Sequence, residues 1–97
     1  YCASKAALEQ MTRNLAYDLA GDNITVNGIS PGFFPSRMTA HIVEDEAADR
    51  AMLEKARFPR HGKAEEIAGL AIYLCSRSGA YVTGAIIPID GGMLLSC

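Results

Sequence analysis

Two short runs of β-branched and apolar residues, 24–29 and 85–89, limit the folds that this sequence can adopt. Each run ends in a turn signal, Pro31-Gly32 for the first and Asp90-Gly91-Gly92 for the second, which is typical of short buried strands. A long stretch with helical patterning separates the two runs. Because a connection of that length must cross over the sheet, we expect the strands to be parallel, with a right-handed crossover.

The rest of the chain shows helical patterning of unequal strength. Residues 3–20 are rich in helix formers, with apolar side chains at spacings of three and four, and Gly21 follows where a helix is expected to stop. Residues 64–76 predict another helix with an apolar stripe. Residues 38–57 show weak helical patterning and an acidic patch, which we interpret as a solvated helix face. A turn-rich segment, 58–62, separates these two helical regions.

The order helix, strand, helix, helix, strand predicts an α/β fold and resembles the trailing half of a βαβ alternation. Pro88 cannot donate to a ladder, so the second strand is expected at a sheet edge. Two strands are too few for a doubly wound sheet, and the sequence opens on Tyr1 without an initiator Met. We therefore expect a fragment whose partner strands lie upstream or on another chain. The full-length protein that would carry this chain is called the parent protein below.

Composition argues against several classes of function. The net charge is −2 and the nine Lys and Arg residues are scattered, which does not favour nucleic-acid binding. Apolar stretches such as 69–75 are far shorter than the ~20 residues that span a bilayer, so no membrane partner is expected. Cys2, Cys75 and Cys97 show neither a CxxC pair nor a Cys/His spacing, which predicts no disulfide framework and no metal site. A reducing, cytoplasmic compartment is the expectation.

Tyr1 and Lys5 are four residues apart at the start of the first predicted helix. Residues at that spacing emerge on one face, one turn apart. An ammonium group beside a phenol favours the phenolate by direct attraction, which suits proton exchange with a hydroxyl or carbonyl oxygen of a substrate. The alternative interpretation is a surface tyrosine next to a solvated lysine.

Four further blocks follow this pair in a fixed order, and together they resemble the short-chain dehydrogenase/reductase family. The resembling segments are residues 1–7 beginning Tyr1-Cys2-Ala3-Ser4-Lys5, residues 24–27 with Ser30-Pro31-Gly32, residues 60–68 beginning Arg60-His61-Gly62, Val82-Thr83-Gly84, and Asp90-Gly91-Gly92. The resemblance covers almost the whole chain. It implies that residues 1–97 are the C-terminal part of a single NAD(P)-binding domain, a portion of a doubly wound, Rossmann-type parallel sheet with flanking helices.

The resemblance also implies a role for each matched position. Tyr1 corresponds to the catalytic acid/base of the family, and Lys5 to the partner that favours its phenolate and hydrogen-bonds the nicotinamide ribose. The loop along the nicotinamide ring corresponds to Pro31, Gly32, Phe34 and Ser36. Ser36 stands where the family usually has Thr, so a hydroxyl is retained.

Other polar and apolar residues invite a functional interpretation, but a structural role is favoured for them. Asn27 beside the loop is expected to make structural hydrogen bonds, and the Asp90-Gly91-Gly92 turn to cap the edge strand. His61 and His41 are interpreted as structural or exposed rather than as acid/base groups. The three methionines that follow the first predicted helix could line an apolar substrate pocket or fill the core; they are Met38, Met52 and Met93.

The resemblance implies an oxidoreductase that uses NADP or NAD and moves a hydride between nicotinamide and a carbonyl or secondary alcohol carbon. Members that reduce 3-oxoacyl-carrier-protein, an activity of fatty acid metabolism, are the most similar; polyol, sugar-acid and steroid dehydrogenases share the same blocks. A non-catalytic truncated chain that acts only in assembly is the alternative from another class. The catalytic Ser and Asn and the glycine-rich phosphate turn of the family all precede the tyrosine, so the isolated chain is expected to be inactive.

A homo-oligomer, specifically a tetramer, is expected because the edge strand and the third helix are apolar around more of their surface than one contact needs.

Overall fold

A computed structural model describes residues 1–95 of the chain, with four α-helices and two β-strands in that part. In chain order the elements are α1 Cys2–Leu19, β1 Gly28–Pro31, α2 Ala40–Val43, α3 Glu46–Leu53, α4 Ala64–Cys75 and β2 Ile86–Ile89. The chain forms two compact units. The first comprises residues 1–29 and 69–87, and the second comprises residues 30–68 and the C-terminal stretch from Pro88.

Helix α1 confirms the first predicted helix but ends differently from the prediction. A short 3-10 turn, Ala20–Asp22, continues the helix past Gly21. Asn23 then adopts a left-handed conformation with φ of 60° and closes the turn through its backbone N–H, which donates to Ala20 O. Asn tolerates this conformation better than most residues because its short polar side chain bonds locally. Gly21 is therefore not the stop that the sequence predicts.

Strand β1 begins four residues later than predicted, and the Asn27 side chain interrupts the regular backbone pairing just before it. The Asn27 amide donates from Nδ2 to Val82 O at 2.9 Å, and its Oδ1 accepts from Ala85 N at 3.0 Å. These two bonds occupy the backbone groups that a regular strand neighbour would use. Regular pairing starts only at Gly28, whose N–H donates to Ala85 O at 2.8 Å. The structural role expected for Asn27 is confirmed.

The two strands are hydrogen-bonded neighbours and run parallel. The N–H of Gly28 donates to Ala85 O, and four residues on, the N–H of Gly32 donates to Ile89 O at 3.0 Å. Donor and acceptor advance together along both strands, which only a parallel register allows. Pro88 is the exposed position of β2, where its lack of an N–H costs no ladder bond. The expected α/β architecture with a parallel sheet is confirmed.

The region 38–57 is two short helices rather than the one weak helix that its pattern predicts. Asp45 separates them: its backbone is extended, and its Oδ1 accepts from Ala47 N and Ala48 N at 3.1 and 3.3 Å. This is an N-cap, a position at which Asp is strongly preferred. Asp45 thus stops α2 and starts α3, so the acidic patch is only partly the solvated face that we expected.

Helix α4 ends one residue before its predicted end, and the turn after β2 has its expected capping role. Asp90 accepts from Gly92 N through Oδ1 at 2.9 Å and from Leu94 N through Oδ2 at 3.0 Å. Gly91 and Gly92 have φ of 62° and 85°, which glycine adopts without steric cost. Cys2 and Cys75 are free thiols, and Cys97 lies outside the described residues. Within residues 1–95, no helix is long and apolar enough to cross a bilayer.

Candidate active site

The first candidate group is the pair Tyr1 and Lys5 at the beginning of α1. Tyr1 is the N-cap, and its carbonyl oxygen accepts from Lys5 N at 3.0 Å and from the Ser4 hydroxyl at 2.8 Å. These bonds fix the Tyr1 backbone against the first turn. The Lys5 Nζ lies 5.4 Å from the centroid of the Tyr1 ring, within the range of a cation–π contact. The structure therefore brings the two side chains together, as the four-residue spacing predicts.

Both side chains are open to solvent and available to a ligand. Tyr1 is 86% exposed, and Lys5 is exposed as well. In the described part of the chain, the Lys5 ammonium forms neither a hydrogen bond nor an ion pair. Next to it, the phenol offers one donor and one acceptor. The pair thus presents a cation and a hydroxyl on one small surface.

The second candidate group is the loop that follows β1 in the second unit, carrying Pro31, Gly32, Phe34 and Ser36. Gly32 is packed against the backbone of Asp90, and a Cβ at this position would lie 2.6 Å from Asp90 Cα. Because backbone cannot yield as a side-chain tip can, no larger residue fits here. The ladder bond from Gly32 N and this close approach together fix where the loop leaves the strand.

Thr39 holds the far end of this loop, a role that the sequence analysis missed. Its Oγ1 accepts from Ser36 N at 2.9 Å and donates to Phe34 O at 3.0 Å. The Ser36 hydroxyl lies 3.2 Å from the same atom. A hydroxyl three residues after Ser36 in a Pro-containing turn is a signal for such local bonding, and it could have been recognised. The Ser36 hydroxyl is therefore shared with Thr39 and remains exposed.

Segment 60–62 supports the same loop from the side. The N–H of Gly62 donates to Phe33 O at 3.0 Å. The His61 ring lies 5.2 Å from the Phe33 ring, and its Nε2 lies 2.7 Å from Asp49 Oδ1. His61 is half-buried and bonded within the fold, which confirms the structural interpretation, while His41 is exposed.

Arg60 and Glu66 form a two-pronged ion pair beside this segment. Nη1 and Nη2 of Arg60 donate to Oε1 and Oε2 of Glu66, each at 2.8 Å, and Lys63 N donates to Oε1 at the same distance. The hydrogen bonds from Arg60, followed by the one from Lys63 N, lower the pKa of Glu66 from its ordinary 4.5 to about 2. The carboxylate in turn raises the pKa of Arg60. At the start of α4, the pair thus keeps both side chains charged and fixes their orientation relative to each other.

Acid is expected to weaken this pair in a defined window. Glu66 has a lower pKa in the folded state than in the unfolded state. Its contribution to the stability of the folded protein is therefore complete above a pH of about 4.5 and is lost as the pH falls toward about 2. In the parent protein, Glu66→Gln should therefore flatten the fall in stability across that window, measured as the urea midpoint at each pH. The exposed neighbour Glu65 supplies the control variant Glu65→Gln. Equal slopes for the two variants would contradict the assignment, and added salt should shrink the difference because the pair is partly exposed.

A pocket of about 240 Å³ lies within the second unit. Eight side chains form its apolar wall: Phe33, Phe34, Met52, Leu53, Ala56, Phe58, Ile89 and Met93. Two of the three methionines considered for a pocket are thus in this wall, whereas Met38 is 79% exposed. Polar groups of Arg60, Glu66 and Asp90 line another part. Among residues 1–95, no cluster of three or more His, Cys, Asp and Glu side chains could hold a metal ion.

Comparisons with known proteins extend these observations. The protein family described as Enoyl-(Acyl carrier protein) reductase matches residues 1–94. The rhamnolipids biosynthesis 3-oxoacyl-[acyl-carrier-protein] reductase of Pseudomonas aeruginosa is 53% identical over 95 residues, which cover 98% of this chain and 37% of that protein. The 5-keto-D-gluconate 5-reductase of Escherichia coli is 41% identical over 96 residues, 99% of this chain and 38% of that enzyme. The chain thus spans little more than a third of the length of these relatives.

A solved structure agrees with the sequence comparison. The Pseudomonas aeruginosa RhlG/NADP active-site complex superimposes with a TM-score of 0.91 at 53% identity, covering 96% of this chain and 36% of that one. This match confirms the predicted fold class, a helix-flanked portion of a Rossmann-type parallel sheet. The match over residues 1–94 and the identity to these relatives show that this chain belongs to the short-chain dehydrogenase/reductase family.

Proposed function

We propose that this chain is the C-terminal part of a single NAD(P)-binding domain, and that the parent protein is an oxidoreductase. In this proposal, a hydride passes between nicotinamide and the carbon of a carbonyl or secondary alcohol. The observation that carries the proposal is the Tyr1–Lys5 pair, one helical turn apart and open to a ligand, in a chain of this family. We place the protein in a reducing, cytoplasmic compartment, with which the free thiols of Cys2 and Cys75 are compatible.

The donor set at Tyr1 and Lys5 fits a nicotinamide nucleotide. An ammonium group without a partner among residues 1–95 can donate to the paired hydroxyls of a ribose, and the phenol stands beside it. We assign Lys5 to the ribose and the loop residues Pro31, Gly32, Phe34 and Ser36 to the nicotinamide side. The cofactor in this proposal is NADP or NAD: the similar Pseudomonas aeruginosa structure is a complex with NADP, and a similar 4-hydroxyisoleucine dehydrogenase is a complex with NADH.

The chemistry of the chain itself is proton transfer at the Tyr1 hydroxyl. When bound, the cofactor supplies or accepts the hydride. During reduction, Tyr1 donates its proton to the carbonyl oxygen, which becomes the hydroxyl of the alcohol; during oxidation, Tyr1 takes that proton back. The adjacent Lys5 ammonium stabilises the phenolate that is left after the proton has moved. The Ser4 and Lys5 bonds to Tyr1 O hold the Tyr1 backbone, from which the phenol extends, against the first turn of α1.

The apolar pocket of the second unit favours an acyl substrate over a sugar acid. Eight apolar side chains form most of its wall, and a polyol chain would lose its hydrogen bonds to water there. The relative in Pseudomonas aeruginosa is named for a 3-oxoacyl substrate. We therefore propose a 3-oxoacyl thioester, a substrate of fatty acid metabolism, as the carbonyl compound that the parent protein reduces.

An assay of NADPH consumption at several acyl chain lengths tests this proposal. Each methylene that enters the pocket should contribute about 0.8 kcal/mol, so kcat/KM should rise by roughly fourfold per methylene until the pocket is full. The assay uses the purified parent protein, 3-oxoacyl thioesters of increasing length, and NADH in place of NADPH as the cofactor comparison. The wild-type protein without substrate supplies the background rate.

A sugar-acid substrate is the second candidate, because the 5-keto-D-gluconate 5-reductase of Escherichia coli is 41% identical over 96 residues. The same assay with 5-keto-D-gluconate decides between the two. A higher kcat/KM for the sugar acid, together with no dependence on acyl length, would reject the acyl substrate. Failure of the parent protein to consume either reduced nucleotide with any carbonyl compound would reject the oxidoreductase.

A homotetramer is proposed for the parent protein, because the first unit leaves large apolar side chains uncovered. On α1, Leu8 and Met11 are 50% and 53% exposed; on α4, Ile72 and Tyr73 are 69% and 43% exposed. Helices with such wide apolar surfaces commonly pack on a further element or a second copy. Sedimentation equilibrium should give a mass four times that of one polypeptide of the parent protein. A monomer at micromolar concentration would show that these side chains are covered within one chain.

A further inference from the structure

Gly62 is a glycine whose backbone conformation does not require glycine. The positive-φ glycines among residues 1–95 are Gly84, Gly91 and Gly92, so Gly62 lies in a region open to other residues. The restriction is steric: a Cβ at position 62 would overlap three atoms of the Phe34 ring. The Phe34 ring therefore lies directly on the Gly62 Cα, and the missing side chain makes room for it.

Two further contacts attach the same segment to the loop. The Gly62 N–H donates to Phe33 O at 3.0 Å, and the His61 ring lies 5.2 Å from the Phe33 ring. Phe33 is one of the two buried apolar side chains found in residues 1–95, at 7% exposure. Segment 60–62 thus holds the Phe33 backbone and contacts the rings of both Phe33 and Phe34.

The segment is itself anchored on both sides. On one side, the two hydrogen bonds between Arg60 and Glu66 tie it to the first turn of α4, and Arg60 Nη1 also donates to His61 O at 3.0 Å. On the other side, His61 reaches Asp49 of α3 at 2.7 Å. Exposed ion pairs contribute little to stability, but a two-pronged guanidinium–carboxylate pair fixes direction well. Segment 60–62 is therefore well placed to hold the loop that carries Phe33 and Phe34 in one position.

We infer that Gly62 is a positioning residue for cofactor binding: by seating the Phe34 ring, it sets the position of the Phe34 backbone in the loop proposed to hold nicotinamide. The inference rests on the proposed function. A methyl group at position 62 would push the ring and its backbone away from this seat. Cofactor affinity should fall while the Tyr1 proton transfer, which Gly62 does not touch, is retained.

A double-mutant cycle in the parent protein tests the inference. Gly62→Ala should raise the NADPH Kd and the KM for NADPH by about tenfold, with kcat within about twofold of wild type, a coupling typical of residues in contact. In a Phe34→Ala background, where no ring is left to displace, Gly62→Ala should change the Kd by less than about twofold. Gly21→Ala is the matched control, because nothing lies within 4 Å of a Cβ at position 21.

The outcomes separate the inference from the proposed function. An equal loss of affinity from Gly62→Ala in both backgrounds, or no loss in either, overturns the inference. If Gly62→Ala alone does not fold, the double variant decides: NADPH binding equal to that of Phe34→Ala supports the inference, and failure of the double variant to fold overturns it. Absence of NADPH and NADH binding by the wild-type parent protein rejects the proposed function instead.

Discussion

Replacing Tyr1 by Phe in the parent protein is expected to lower kcat by about 100- to 10,000-fold, while the Kd for NADPH stays within about twofold of wild type. The change removes one oxygen and leaves the ring that lies 5.4 Å from the Lys5 ammonium. The proton donor is lost, but the ring, the Tyr1 carbonyl and the first turn of α1 are kept. Steady-state rates with a 3-oxoacyl thioester and fluorescence titration with NADPH measure the two quantities separately.

Tyr17 offers a matched control for this variant. It lies on the same helix, is also 86% exposed, and loses the same hydroxyl in Tyr17→Phe. We expect that variant to have wild-type kcat and Kd. A Tyr1→Phe protein that keeps most of its kcat would show that Tyr1 is not the acid/base group. Tyr17 is a fair control because, unlike Tyr1, it does not lie next to a lysine ammonium.

The parts of the fold that the sequence predicts well are those fixed by local periodicity. The apolar spacing in residues 64–76 indicates α4 to within one residue, and the pairing of Tyr1 with Lys5 follows from the helical repeat alone. Strand β1 is displaced from its prediction because Asn27 bonds to a carbonyl 55 residues away. A propensity argument cannot see such a partner.

The support of the loop that we propose to hold nicotinamide shows the same limit. Gly62 reads as an ordinary turn glycine in the sequence, and only its contact with Phe34 reveals why a side chain is excluded. One contact of this support could have been predicted from the sequence. Glu66 lies three residues after Lys63, which is the spacing of a capping box, and its carboxylate accepts a hydrogen bond from Lys63 N. The second partner, Arg60, can be identified only once the turn between the two residues has a definite path.

Replacing Lys5 by Met is expected to damage both cofactor binding and turnover, unlike the Tyr1 variant. We assign the ammonium two tasks, donation to the ribose hydroxyls and stabilisation of the Tyr1 phenolate. A Met side chain keeps the unbranched shape and most of the length of Lys, but it has neither the charge nor the hydrogen-bond donor. Hydrogen bonds to a charged group are worth about 1.5–3 kcal/mol, so the NADPH Kd should rise by roughly 10- to 100-fold. The kcat at saturating NADPH should fall by a similar factor, because the phenolate loses its neighbouring charge.

The combination of the two effects is what identifies the double role of Lys5. Lys63→Met is the control, because Lys63 is exposed and contributes its backbone N–H, not its ammonium, to the bond with Glu66. It should leave Kd and kcat at their wild-type values. If Lys5→Met lowers kcat but leaves the Kd unchanged, the ribose contact is wrong and the lysine serves only the tyrosine. If the Kd rises while kcat at saturation is retained, Tyr1 works without the neighbouring charge, and the ammonium 5.4 Å from its ring serves the cofactor alone.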